Sequence, residues 1–165
     1  MSPDDLKRIL TPYCHATETF EATAVQSALS DSFGADAAIK MCHPYGTIIG
    51  PGAFYDACLA PLFAALPDLE RRDMIVMAGT TAEDQAWGGT MGNYMGTFLA
   101  PFLDIPPTGH LVHMRYHEFF RIENDRVVEV QAIWDIPELM MQADAWPMAP
   151  QLGKFICTPA PMSGN

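Results

Sequence analysis

Positive charge is scarce in this sequence. Among 165 residues there are 9 Lys and Arg against 20 Asp and Glu, which gives a formal net charge of −11. Proteins that bind nucleic acids or anionic membranes need a basic surface, because phosphate groups must be neutralised on binding. The shortage of cations therefore argues against nucleic acid and membrane partners.

Long apolar runs and patterned cysteines are also missing. No apolar segment approaches the roughly 20 residues that cross a bilayer. The first five residues lack the basic and apolar regions of a secretory signal, so we expect no signal peptide. The four cysteines, at positions 14, 42, 58 and 157, show no Cys-x-x-Cys spacing. Such cysteines are typical of free thiols in a reducing compartment, and they predict a cytoplasmic protein.

The sequence contains none of the common nucleotide or acyl-serine motifs. It has no Gly-x-x-x-x-Gly-Lys-Ser/Thr phosphate loop, no Gly-x-Gly-x-x-Gly turn after a strand and no Gly-x-Ser-x-Gly nucleophile elbow. His43, His113 and His117 do not have the spacing of a metal signature, although a site formed by all three is conceivable. We expect no metal.

The sequence predicts a single globular domain in which helices come first and strands follow. Hydrophobic residues make up 49% of the chain and charged residues 18%, which is ordinary for a globular protein. Ser2-Pro3 and Gly50-Pro51 are helix-start signals. Pro12 is expected to interrupt the first helix, and a second is expected from about His15 to Phe33.

Three strands joined by two turns are predicted across residues 84–135, with turns at 104–109 and 124–126. This order favours an α+β domain in which N-terminal helices pack on one face of a curved antiparallel sheet. A sheet of this shape leaves an apolar pocket at its open end. We assign residues 1–145 to the domain and residues 146–165 to a Pro-rich C-terminal arm.

One stretch of the chain resembles a known family. Gly92-Asn-Tyr-Met-Gly96, Ile105-Pro-Pro-Thr-Gly109, Arg115, Phe120-Arg121 and Asp135 follow the pattern of the SnoaL-like polyketide cyclases. These belong to the NTF2-like superfamily, which also holds the ketosteroid isomerases. The resemblance implies a cystatin-like cone fold, a homodimer or larger homo-oligomer, a small hydrophobic ligand and no cofactor.

Asp135 is the main catalytic candidate. It ends an apolar, aromatic strand, where burying a carboxylate is costly unless the group is paired or its pKa is raised. The resemblance implies that this Asp is the general acid/base of an intramolecular aldol closure. Equally, Asp135 could cap the helix that opens at Ile136-Pro137, because Asp is a preferred N-cap residue.

The histidines are candidate helpers of Asp135. Strand alternation puts His113, Arg115 and His117 on one face, and His117 could assist proton transfer. That face could equally be a polar solvent or subunit-contact surface. His43 precedes Pro44 at the end of a short early strand, so it could line the pocket mouth or be a structural histidine. We therefore take Asp135, His117 and His43 as the catalytic candidates.

A hydrophobic ligand would be bound by aromatic, Met and polar side chains near these residues. The candidate substrate-binding residues are Trp87, Tyr94, Trp134, Gln131, Met91 and His113. In the family, Trp is common at the position of Gln131, and that difference would reshape the pocket. Two functions stay open: an aldol cyclase or isomerase that acts on a carbonyl compound, and a non-catalytic domain that binds a hydrophobic molecule or a protein.

Overall fold

Two N-terminal helices precede the sheet. The computed structural model describes residues 2–149. Helix α1 spans Pro3–Glu18 and begins with a capping box between Ser2 and Asp5; helix α2 spans Ala22–Ser32. The expected interruption at Pro12 was wrong, because α1 continues through it. Proline removes only one hydrogen bond from the helix, and α1 buries four side chains, Leu6, Leu10, Tyr13 and Thr17.

A third helical segment lies between the early strands and the main sheet. It consists of α3 (Pro51–Phe54), a π-helical turn (Tyr55–Leu59) and α4 (Ala60–Ala65), which follow one another without a gap. The predicted start after Gly50 is confirmed. The apolar residues Phe54, Cys58, Leu59 and Leu62, which follow helical spacing in the sequence, are all buried and form one stripe.

Six strands form one sheet in the order β2-β1-β6-β5-β4-β3. Their bounds are β1 Phe33–Met41, β2 Thr47–Ile49, β3 Glu70–Thr80, β4 Ala86–Thr97, β5 Leu111–Glu123 and β6 Arg126–Trp134. A last helix, α5, spans Ile136–Gln142. The predicted helices-on-sheet α+β architecture is confirmed. The sheet differs from the expected all-antiparallel one at a single pair, because β1 runs parallel to β6.

The two faces of the sheet differ in burial. Along β5, Val112, Met114, Tyr116, Glu118, Phe120 and Ile122 are buried, whereas the residues between them are partly or fully exposed. The buried side faces the helices, since Phe120 and Tyr13 of α1 pack with their ring centroids 5.9 Å apart. We call this side the inner face and the other side the outer face.

The C-terminal part of the chain is described only as far as residue 149. Residues 146–149 form neither helix nor strand, and residues 150–165 of the predicted arm lie outside the described residues. Cys157 is among them, whereas Cys14, Cys42 and Cys58 are free thiols. Within residues 2–149, no helix has the length and apolar character needed to cross a membrane.

Gly92 permits a close approach between β3 and β4. A Cβ atom at this position would lie 1.9 Å from the carbonyl oxygen of Arg72 and 2.6 Å from the hydroxyl of Tyr116. The register of β3 against β4 shifts between Asp73 and Ile75. This bulge pushes the β3 backbone towards Gly92, and only a residue without a side chain fits there.

We predict that Gly92→Ala strongly destabilises the protein. The added methyl group would overlap backbone atoms that cannot move away, so the loss should reach or exceed the upper end of the ~1–3 kcal/mol typical of overpacking. The matched control is Gly79→Ala in β3, where a Cβ would meet nothing within 4 Å. Urea unfolding of both variants measures the difference, and equal stabilities would contradict the prediction.

Candidate functional site

An ion pair lies at the centre of the space between helices and sheet. Arg71 of β3 and Glu118 of β5 are each 1% exposed, and Nη1 of Arg71 donates to Oε2 of Glu118 at 2.8 Å. The same guanidinium donates through Nε to Asp73 at 2.8 Å and through Nη2 to Thr90 at 2.7 Å. Its hydrogen bonds therefore connect three neighbouring strands.

Glu118 is also bound by aromatic side chains. Its Oε1 accepts hydrogen bonds from Nε1 of Trp134 at 3.0 Å and from the hydroxyl of Tyr94 at 3.2 Å. The hydroxyl of Tyr116 donates to Asp73 on the other side of the network. A buried charge is tolerated only when its partners satisfy it, and these contacts supply the partners. We call Arg71, Asp73, Thr90, Tyr94, Tyr116, Glu118 and Trp134 the buried network.

Burial and charge shift the titration of this network. Burial raises the pKa of Tyr94 well above its ordinary value, and the Glu118 carboxylate raises it further. For Arg71, burial lowers the pKa of the guanidinium, but Glu118 and the surrounding phenol groups outweigh this effect, so the pKa lies well above its ordinary value. Arg71 therefore stays protonated, and its guanidinium carbon lies 4.3 Å from the ring centroid of Tyr116 and 4.9 Å from that of Tyr13.

The sequence analysis did not identify Arg71 or Glu118. The available signal was Glu118, because a carboxylate in the middle of the apolar alternation of β5 has to be paired. Tyr94 and Trp134, which the analysis assigned to substrate binding, are hydrogen-bonded into this network and are 0% and 1% exposed. A buried polar network therefore lies inside the hydrophobic core of the domain.

The predicted catalytic residues meet at a different place, at one end of the sheet. A depression of about 590 Å³ is lined by Cys42, His43, Arg115, His117, Ile133, Trp134, Asp135 and Pro137. It opens on the outer face and lies where β1 and β6 end. Asp135, His117 and His43 come from three separate segments, and the fold brings all three to this depression together with Trp134.

Asp135 is the N-cap residue of α5. Its Oδ1 accepts the backbone N–H of Glu138 at 3.1 Å, and its own N–H donates to the carbonyl oxygen of Arg115 at 2.8 Å. Among the described residues, its Oδ2 has no hydrogen-bond partner. The carboxylate is therefore oriented through Oδ1, and its Oδ2 points to no partner among the described residues.

His113 does not line the depression. Its Nε2 lies 3.2 Å from Oε1 of Glu138, and the second carboxylate oxygen of Glu138 accepts the backbone N–H of Arg115 at 3.1 Å. Gln142 adds two bonds to the backbone of His113. These contacts attach α5 to β5, so the role of His113 in the structure is to hold the helix that carries Asp135.

The remaining predicted residues lie elsewhere. Gln131 is exposed and donates to Glu129 at 2.9 Å. Trp87 borders a second outer-face cavity of about 280 Å³ together with Met77 and Phe119. Met91 lies opposite His117 in the β4–β5 pair, beside the depression but outside its lining. Among residues 2–149, no group of three or more His, Cys, Asp or Glu side chains could hold a metal ion.

Comparisons with known proteins give one consistent result. The family model described as SnoaL-like polyketide cyclase matches residues 15–143 of this chain. The search of curated proteins found no match.

Solved structures with the same fold come from several bacteria. The structure of AclR, a candidate hydroxylase from Streptomyces galilaeus, aligns with a TM-score of 0.72 at 16% identity and covers 92% of each chain. A candidate SnoaL-like polyketide cyclase from Jannaschia sp. CCS1 aligns with a TM-score of 0.69 at 19% identity, over 88% of this chain and 95% of the other. IdmH, a candidate polyketide cyclase from Streptomyces antibioticus, aligns with a TM-score of 0.67 at 19% identity, over 84% of this chain and 98% of the other.

We predict that breaking the buried ion pair on one side destabilises the fold strongly. Arg71→Met leaves Glu118 buried without its cationic partner, which should cost ~3–5 kcal/mol of unfolding free energy. The double variant Arg71→Met/Glu118→Leu should recover part of this loss, because it removes the unpaired charge as well. Chemical denaturation of each variant provides the measurement.

The matched control for this prediction is Arg72→Met. Arg72 is the next residue of β3 and pairs with Glu70 at 2.6 Å, but both side chains are partly exposed. An exposed pair contributes only ~0–1 kcal/mol. If Arg71→Met and Arg72→Met lower the free energy of unfolding by the same amount, the prediction that the buried network stabilises the fold would be wrong.

Proposed function

Because the chain belongs to the SnoaL-like polyketide cyclase family, we propose that it catalyses an acid/base reaction on a hydrophobic carbonyl compound bound in the depression beside Asp135. The reaction is an aldol cyclisation or a double-bond isomerisation. It uses Asp135 as the acid/base and His117 or His43 as the helper. It needs no metal, flavin or nicotinamide when neighbouring carbonyl groups already activate the carbon acid.

One observation carries this proposal. Asp135, His117 and His43 lie far apart in the sequence, and all three line the same depression. A cavity of about 590 Å³ is within the range of small-molecule sites. Its wall combines the apolar surfaces of Ile133 and Pro137 with a few polar groups, which is the usual composition of such sites.

The proton transfers balance within this set of residues. In the cyclisation, Asp135 removes a proton from the carbon α to a carbonyl and leaves an enolate. The enolate carbon attacks a second carbonyl carbon of the same molecule, so one C–C bond forms and the C=O π bond becomes an alkoxide. The alkoxide takes its proton from the protonated Asp135 or from His117. In the isomerisation, Asp135 returns the same proton to a different carbon.

The second candidate function is binding without catalysis. It is favoured by the hydrogen bond from the Glu138 N–H to Asp135, since this contact gives Asp135 a structural role that needs no chemistry. It is also favoured by the burial of Tyr94 and Glu118, which are 0% and 1% exposed and are hydrogen-bonded to each other. The two functions predict different behaviour of an Asp135 variant that keeps the cap.

We further propose that a second copy of this chain covers the outer face and that the protein acts in the cytoplasm. The first proposal follows the family resemblance and the exposed apolar side chains of the outer face, which include Met77 at 50% and Phe119 at 43% exposure. A partner on this face would also limit the access of water to the depression. The second proposal rests on the unpatterned cysteines.

The catalytic proposal predicts that Asp135→Asn loses proton abstraction but keeps the fold. The probe is 2-tetralone, a bicyclic ketone whose C1 protons are activated by the carbonyl and the aromatic ring. We expect the wild type to accelerate deuterium exchange at C1 over buffer, and the variant to lose about 10²- to 10⁴-fold of that acceleration. Proton NMR in D₂O follows the exchange.

Asp135→Asn removes the acid/base group but keeps a side chain that can cap α5, so it tests the chemistry separately from the capping. Asn and Asp are equally good N-cap residues, so Asp135→Asn should keep the wild-type free energy of unfolding. Asp135→Ala should lower that free energy by about 1 kcal/mol, because alanine cannot cap the helix. Asp36→Asn removes the same charge from an exposed position of β1 and is the matched control. Exchange that is as fast in Asp135→Asn as in the wild type would support binding without catalysis.

The oligomer proposal predicts that a charged side chain introduced on the outer face dissociates the dimer. Phe119→Lys and Met77→Lys should each shift the protein from dimer to monomer in light scattering after size exclusion. Leu99→Lys is the control, because Leu99 is 57% exposed but lies outside the sheet. A wild-type monomer at micromolar concentration, or equal effects of all three variants, would contradict this assembly.

A further inference from the structure

Arg115 differs from every other arginine that the structure describes. The remaining five donate to a carboxylate or a backbone carbonyl: Arg8 to Asp5, Arg71 to Glu118, Arg72 to Glu70, Arg121 to Glu129 and Arg126 to Ser30 and Phe33. The side chain of Arg115 makes no hydrogen bond, ion pair or ring contact within residues 2–149. In a chain with a net charge of −11, carboxylates are abundant, so a cation without one is unexpected.

Two carboxylates close to Arg115 in the structure, those of Glu138 and Asp135, form no ion pair with its guanidinium. Glu138 is 3% exposed and uses one oxygen for His113 and the other for the backbone N–H of Arg115. Asp135 borders the same depression but forms no ion pair with Arg115. Meanwhile the backbone of Arg115 is held on both sides, because its carbonyl accepts the N–H of Asp135 at 2.8 Å.

The position of Arg115 is that of a binding group. Its side chain is half-buried and borders the depression, where His43 and His117 also lack partners among the described residues. A partly desolvated cation is stabilised more by a hydrogen bond to a charged acceptor than by one to a neutral acceptor. The guanidinium presents its donors in a planar fork that matches a carboxylate with two parallel hydrogen bonds.

We propose that the depression binds a hydrophobic compound through an oxyanion, a carboxylate or a phenolate, that is held by Arg115. Ile133 and Pro137 contact the apolar part of the ligand. Asp135 repels the oxyanion, so the charged end lies towards Arg115 and the neutral carbonyl end towards Asp135. The inference rests on the proposed function in taking this ligand as the substrate, and it names the class of that substrate.

The test compares two probes that differ in charge. Anthracene-9-carboxylate has an apolar body and the oxyanion, and 9-anthracenemethanol has the same body without charge. We expect isothermal titration calorimetry at fixed ionic strength to show carboxylate binding about 10- to 100-fold tighter than alcohol binding. Arg115→Gln should remove this preference and leave alcohol binding unchanged, and Arg115→Lys should restore part of it.

The matched control is Arg121→Gln. Arg121 lies on the same strand and the same face, and its removal changes the net charge equally, but it is paired with Glu129 outside the depression. Carboxylate affinity should stay at the wild-type level in this variant. Equal losses in the two Gln variants, equal affinity for the two probes, or no binding of the carboxylate would overturn the proposal. Competition by inorganic phosphate at an affinity equal to that of the carboxylate would also overturn it, since the site would then accept any anion.

A failure of this inference can be distinguished from a failure of the proposed function. The binding measurement needs no turnover and can be repeated with Asp135→Asn. If the carboxylate preference depends on Arg115 while 2-tetralone exchange is unaffected by Asp135→Asn, the oxyanion site stands and the acid/base chemistry does not. If exchange requires Asp135 but the carboxylate preference is absent, the chemistry stands and the oxyanion site does not.

Discussion

The ion pair between Arg71 and Glu118 determines what the rest of this domain can be. Moving two ions out of water costs several kcal/mol each, and only a complete set of partners offsets that cost. Here the partners come from β3, β4, β5 and β6, and the ring of Tyr13 from α1 adds a cation–π contact. The network therefore works only when all these elements are in place, which links the packing of α1 to the register of the sheet.

The buried network and the depression beside Asp135 occupy different parts of the domain. Arg71 and Glu118 are each 1% exposed, whereas the depression that brings Asp135, His117 and His43 together lies where β1 and β6 end. That end of the sheet is rigid, because Glu138 and Gln142 attach α5 to β5 through side-chain and backbone contacts. The position of Asp135 at the start of α5 is therefore fixed in part by the buried carboxylate of Glu138.

Local sequence patterns were sufficient to predict much of this structure. The alternation of β5 predicted that His113, Arg115 and His117 share a face, and the apolar stripe from Phe54 to Leu62 predicted the third helical segment. The end positions of His43 and Asp135 on their strands brought them to one depression.

Pairings between distant segments could not be predicted in this way. The parallel contact of β1 with β6 joins residues about 90 positions apart, and Arg71 meets Glu118 only after three strands have aligned. The prediction of a helix break at Pro12 was wrong because burial of one face of α1 outweighed the unfavourable effect of proline in a helix interior. Trp87 was assigned to the site as an aromatic residue, Gln131 through the family resemblance and His113 through strand alternation, and none of these criteria reports which end of the sheet a residue occupies.

The strand order has a consequence for how this protein behaves in solution. Within residues 2–149, β3 has a neighbour on one side only, and Ile75, Val76 and Met77 are each 41–50% exposed. A free strand edge with apolar side chains is a template for strand addition by another chain. At neutral pH, mutual repulsion between copies with a net charge of −11 opposes this contact. Acidification protonates surface carboxylates and weakens the repulsion while the edge remains, so colloidal stability depends on the charge of exposed acidic residues.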